Sequence, residues 1–109
     1  MNQMRLLFWA AAFCTAAGAV AEPVTAHDYT ITMDNMNFGH IPSGVKVGDT
    51  IVWDNQDTVQ HSATARDGSF DVRLQPGKQA RTVLKAAGTL NVYCVFHSMM
   101  RTAIKVVPN

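Results

Sequence analysis

Cys94, His97 and Met100 are spaced Cys-x-x-His-x-x-Met within the run Cys94-Val95-Phe96-His97-Ser98-Met99-Met100-Arg101. A second imidazole, His61, stands far upstream, at the close of the polar stretch Asn55 to Gln60. One thiolate, two imidazoles and a thioether are the donors of a trigonal His₂Cys copper site with a weak, long axial Met. Thiolate and thioether favour Cu(I), while imidazole suits both oxidation states. A compromise between the two geometries limits rearrangement when one electron passes. Two ligands on a short loop set angles cheaply, and His61 would anchor the metal to a distant strand. The neighbouring Met99 is a second thioether that competes with Met100 for the axial place.

Taken singly, each of these residues has a plainer reading. A buried cysteine at a strand end is usually packing. His61 alone reads as a polar loop residue, as His27 and His40 do. Met99 and Met100 alone read as apolar packing, as Met33 and Met36 do. It is the coincidence of all four donors in one strand-rich chain that favours a metal centre.

The elements that must position them are short strands. Tyr29-Thr30-Ile31-Thr32-Met33 alternates apolar with polar residues, the pattern of a half-buried strand. Val45-Lys46-Val47 alternates again after the Pro42-Ser43-Gly44 turn, and Gly48-Asp49 leads into Thr50-Ile51-Val52-Trp53. Asp67-Gly68 and Gln75-Pro76-Gly77-Lys78 are further turn signals. Ala80 to Leu84, Thr89 to Cys94 and Thr102 to Val107 complete the strands, and no stretch carries a sustained helical stripe. Strands this short and closely spaced predict an antiparallel sandwich or small barrel. Leu90, Val92 and Cys94 share one strand face, which points the sulfur of Cys94 toward the core.

The amino terminus reads as an address. Arg5 gives a positive start, Leu6 to Ala17 is uncharged and apolar, and Ala19-Val20-Ala21 offers small residues for cleavage before Glu22-Pro23. This is the pattern of a cleavable secretory signal peptide over residues 1–21. The apolar run is shorter than the roughly 20 residues a membrane span needs. The mature domain is then 22–109, exported to the periplasm, with Cys94 as its lone cysteine once Cys14 is gone. A lone thiol in an oxidising compartment cannot form an internal disulfide and calls for another explanation.

Composition limits the function classes. The chain has 109 residues, enough for one domain, and its 9 basic and 8 acidic residues nearly cancel. A nucleic-acid binder would show a clustered basic excess. With 48% apolar and 16% charged residues, disorder is also excluded.

The chain resembles the cupredoxins, the type 1 blue copper proteins, on the side of amicyanin and plastocyanin. The resemblance rests on Met36-Asn37-Phe38, Pro42, the run from Val45-Lys46-Val47-Gly48-Asp49 to Trp53-Asp54-Asn55, His61, and Gly88-Thr89-Leu90-Asn91-Val92-Tyr93-Cys94. The short Cys94-to-Met100 spacing resembles amicyanin in particular. The resemblance implies an all-β Greek-key sandwich of about seven or eight strands, with His61, Cys94, His97 and Met100 holding one copper ion. Two departures predict a looser copper loop. Ser62 stands where the family often places an Asn that ties two loops together, and Val95, Phe96 and Ser98 replace loop prolines.

The implied function is one-electron transfer, Cu(II) to Cu(I) and back, rather than catalysis. His97 would face solvent within a small apolar surface of Phe96, Ser98 and Met99, a size that suits brief redox encounters. Partners of this kind would be a dehydrogenase, a c-type cytochrome or an oxidase, with the carrier itself a monomer. A copper-delivery protein uses the same soft donors and is the principal alternative. A structural zinc site and a Cys94 nucleophile activated by His97 are the others.

Overall fold

The computed structural model describes residues 25–109, so the leader read at residues 1–21 lies outside the described residues. In β1 (Asp28–Asp34), Ile31 and Met33 turn inward while Thr30 and Asp34 face solvent. In β4 (Thr50–Asn55), Ile51, Trp53 and Asn55 turn inward. The remaining strands are β2 (Asn37–Phe38), β3 (Val45–Lys46), β5 (His61–Ala65), β6 (Asp71–Leu74), β7 (Gln79–Val83), β8 (Gly88–Tyr93) and β9 (Arg101–Val107). Among the described residues there are thus nine strands and no helix, the two shortest being two-residue pairings. No helix among those residues is long and apolar enough to cross a membrane.

The strands form two sheets, ordered β2-β1-β4-β7 and β3-β9-β8-β5-β6. Only β1–β2, β5–β6 and β8–β9 are hairpins between consecutive strands; the other connections cross the sandwich. The expectation of an all-β sandwich holds. The expectation of purely antiparallel pairing does not, since β1 runs parallel to β4 and β3 parallel to β9. Each of these pairs is joined by chain that visits the opposite sheet, which lets two strands return in the same direction.

β5 escapes the sequence reading. His61-Ser62-Ala63-Thr64-Ala65 has one β-branched residue and no aromatic besides the imidazole, so its strand signal is weak. All five residues are nonetheless buried, because β5 lies inside its sheet between β6 and β8. His61 therefore opens a buried strand rather than closing a polar loop.

Trp53 fills the centre of the core, edge-on to Phe38 and tilted against Phe70, with ring centroids 6.0 Å away in each case. Its indole N–H donates to Thr82 Oγ1 at 3.0 Å, so the ring is buried without an unpaired donor. Ile31, Met33, Ile51, Leu74, Val92, Ile104 and Val106 pack around it, each worth about 1.5–3 kcal/mol of burial.

Asn35 and Met36 form the two-residue turn between β1 and β2, with φ of 50° and 61°. Positive φ at both central residues belongs to the primed hairpin turn, where the second place ordinarily goes to glycine. Met36 is held there at a cost of about 1 kcal/mol. Three residues on, Gly39 donates its N–H to Thr32 O at 2.7 Å, an approach that leaves no room for a side chain against the Thr32 hydroxyl.

Asp49 is the buried acid that fixes the turn before β4. Its carboxylate accepts the His27 amide at 2.9 Å and the Lys46 amide at 2.8 Å. Burial opposes the charge, but these two amides and the Lys46 ammonium, 4.0 Å away, outweigh it. The group therefore titrates below the ordinary 3.8.

Two outcomes are expected. Because the folded-state value lies below the unfolded one, Asp49 stabilises the fold above the ordinary carboxylate range and loses that contribution as pH falls through its folded value. Asp49→Asn should cost about 1–3 kcal/mol at neutral pH, by turning an amide donor onto a backbone donor. Its stability should also decline less steeply on acidification, as read by thermal melts across pH; parallel pH profiles would contradict this. Gly39→Ala should destabilise by about 1–3 kcal/mol through overpacking. In a Thr32→Ala background the same change should cost much less, and equal costs in both backgrounds would contradict the close approach.

Candidate metal centre

Sheet pairing brings the ligand candidates together from opposite ends of the sequence. β5 and β8 are antiparallel neighbours, with Thr64 opposite Tyr93 and Ala65 opposite Val92. One residue beyond β8, Cys94 has no exposed surface, as the strand alternation predicts. Its Sγ lies 3.9 Å from His61 Nδ1. The rings of His61 and His97 meet edge to face, with centroids 5.1 Å apart. One ligand atom from each of His61, Cys94 and His97 falls within 4.8 Å of the other two. That spacing suits three donors around one small ion.

In the neutral, metal-binding form of each ring, hydrogen bonds set the tautomer. His61 Nε2 lies 2.9 Å from Asp57 Oδ2, and an ionised carboxylate can only accept. The proton is therefore on Nε2, which leaves the Nδ1 lone pair beside Cys94. His97 Nε2 donates to the Gln60 carbonyl at 3.3 Å, which likewise leaves its Nδ1 unprotonated. An outer partner that fixes tautomer and ring orientation is the usual support of a ligating histidine.

Asp57 is the supporting residue that the sequence reading missed. The bond from His61, with the amides of Met36 at 3.0 Å and Thr58 at 3.0 Å, holds its carboxyl down at about 2. Asn55 builds the loop that carries it. The Asn55 amide donates to Val59 O at 2.9 Å and Leu74 O at 3.0 Å, and its Oδ1 accepts the Asp57 amide at 3.0 Å. An Asp four residues before a His is a faint signal in a polar loop, because nothing local says that the two side chains meet.

The Cys94–Met100 segment is tied more firmly than its lack of proline predicts. Cys94 N donates to Met100 O at 2.9 Å, closing the base of the loop, and Met100 N donates to His97 O at 2.8 Å. Ser62 supplies the tie expected of Asn: its Oγ accepts the Val95 amide at 2.8 Å, bonding the β5 side to the loop. The Ser62 amide in turn donates to Cys94 Sγ at 3.3 Å. Thr64 Oγ1 and Asp71 Oδ1 extend this chain of bonds away from the loop. The looser loop predicted from Ser62 and the missing prolines is thus not observed.

The two adjacent methionines separate sharply. Met100 is 2% exposed and belongs to the same core cluster as Cys94, whereas Met99 is 93% exposed. His97 is half-buried at the surface, while His27 and His40 are exposed and take no part. Among the described residues Cys94 is the free cysteine, and it is buried. The donor set fits a soft, redox-active ion: a shielded sulfur, two oriented imidazoles, and a buried thioether, Met100, at the end of the same loop.

Comparison with solved structures finds the same sandwich. A reduced variant of amicyanin matches with a TM-score of 0.62 and 24% identity over 72% of this chain and 81% of that one. The Cu(I) form of a second amicyanin variant matches at 0.62 and 23%, over 79% and 87%. A purple cupredoxin from Nitrosopumilus maritimus matches at 0.59 and 23%, over 72% and 99%. At these identities the likeness is one of fold. No curated protein matches the chain. The sequence model of the cupredoxin-like domain, however, matches residues 3–106, and the chain belongs to the cupredoxin-like family.

Proposed function

We propose that the chain is a periplasmic type 1 copper protein that carries single electrons between redox partners. His61, Cys94, His97 and Met100 would hold one copper ion. The observation that carries this reading is the convergence of His61, Cys94 and His97 within 4.8 Å, at the end of a rigid sandwich. Copper bound there supplies a one-electron Cu(II)/Cu(I) couple.

The chain's own residues do the rest. Asp57 and Gln60 hold the two rings by their outer nitrogens, so the inner nitrogens need not reorient when charge changes. The Ser62 amide donates to the Cys94 sulfur and stabilises negative charge on it, one of the levers that tune a copper–thiolate potential. Burial of Cys94 shields the thiolate from oxidants, which answers how a lone cysteine survives outside the cytoplasm.

His97 supplies the way out. It is half-buried, with Phe96 exposed beside it in the loop, and Arg73 lies over the Phe96 ring at 5.5 Å. Val59 and Val95 add further exposed apolar surface. A small apolar face around the exit suits a brief encounter with a dehydrogenase, a c-type cytochrome or an oxidase. Release matters there as much as binding.

Mature protein loaded with copper should show an intense visible thiolate-to-copper absorption that Cys94→Ala abolishes. Reversible voltammetry then separates a carrier from a delivery protein. A colourless complex, or copper that leaves on each reduction, would overturn the reading. Met100→Leu should change the visible spectrum and the potential while Met99→Leu changes neither; the reverse result would move the axial role to Met99. Asp57→Ala should weaken copper binding by about 10- to 100-fold, the usual cost of losing an outer partner. Chelator competition measures this, and an unchanged affinity would mean that His61 needs no orienting carboxylate.

A further inference from the structure

Met100 lies within the proposed centre, but two other thioethers near it have no part there. Met36 and Met99 are 42% and 93% exposed, against 2% for Met100. All three line one groove, together with His97 and Phe96, and no carboxylate lines it. Met36 reaches the groove from a left-handed backbone position, φ 61°, where a glycine would sit without strain. Its amide is bound by Asp57 Oδ2, the same oxygen that holds His61, so the turn is fastened to the ligand-bearing loop. Met100 belongs both to the groove wall and to the core cluster that contains Cys94.

Thioethers therefore run from open solvent to the interior, in a groove whose side-chain oxygens are the neutral ones of Asn35, Asn37 and Ser98, without the carboxylate that anchors a hard cation. Soft, uncharged sulfur selects Cu(I) over zinc, calcium or magnesium. We infer that Met36 and Met99 form a second, weaker Cu(I) site at the surface, which captures the ion and passes it inward past Met100 and His97. The inference rests on the copper reading of the Cys94 centre and adds to it the route of loading. No oxidation or reduction is involved, because the ion enters as Cu(I) and only exchanges ligands.

The test titrates metal-free mature protein with Ag(I), a soft monovalent ion that does not change oxidation state, and follows the methionine methyl groups by NMR. The first equivalent should move the Met100 methyl and the His97 ring. A second, weaker equivalent should move the Met36 and Met99 methyls and leave that of Met33, fully buried in the core, in place. Met36→Leu and Met99→Leu should each lose the second equivalent and slow anaerobic loading by Cu(I), with the visible spectrum of the filled centre unchanged. Met36→Gly should lose the second equivalent with undiminished thermal stability, because it removes the thioether and relieves the left-handed residue together. If the first equivalent binds while the Met36 and Met99 methyls stay still, or if the variants load at the wild-type rate, the capture site is refuted. The groove is then a docking face alone. If Ag(I) moves neither Met100 nor His97, the copper centre itself is refuted, and the capture site falls with it.

Discussion

The antiparallel pairing of β5 with β8 is the constraint on which the site depends. The ladder sets Thr64 against Tyr93 and Ala65 against Val92. One step further, the same register would set Ala63 against Cys94 and Ser62 against Val95. There side chains take over the work of the backbone. The Ser62 amide turns to the Cys94 sulfur, and the Val95 amide turns to the Ser62 hydroxyl. A continued ladder would leave the sulfur with no backbone donor of its own. By departing from it, the strands deliver an oriented N–H to the thiolate and keep the Ser62 and Val95 amides bonded.

The same accounting explains why a domain this small can keep polar groups inside. Asn55 occupies an inward strand position where an apolar residue would serve the core better, but its side chain bonds two points of the loop that follows, Asp57 and Val59, and the end of β6 at Leu74. Asp57 stands on that loop and collects His61, Met36 and Thr58 on one carboxylate. Among the described residues no buried side-chain nitrogen or oxygen lacks a partner. A fully bonded network of this kind resists rearrangement, because breaking one member strands another in a medium of low polarity. In the proposed electron carrier that rigidity would be functional, because a site that barely moves between oxidation states wastes little energy on reorganisation.

Around this rigid base the loop surface is soft and apolar. Phe96 and Met99 project from the Cys94–Met100 loop, and Met36 adds a thioether from the turn between β1 and β2. Two proposed roles thus share one face: an outlet for electrons through His97 and an inlet for the metal.

Much of this was legible in the residues. Alternation gave β1, β3 and, from β8, the inward turn of Cys94, because a half-buried strand must sort its side chains by face. The donor types and the Cys-x-x-His-x-x-Met spacing marked the centre, because ligands on one short loop are constrained locally. The small residues of β5 gave no such signal, since a strand covered on both sides has no polar face to alternate with. Asp57 and the bond from Ser62 to Val95 were equally hidden, because each is a contact between segments whose distance in space is set by strand order. Sequence by itself fixed what the chain can bind, through donor chemistry. Only the folded sandwich decided that His61 comes within 3.9 Å of Cys94, which nitrogen of each ring is protonated, and which of two adjacent methionines is buried. Donor chemistry belongs to single residues, whereas geometry belongs to pairs that the chain must travel to unite.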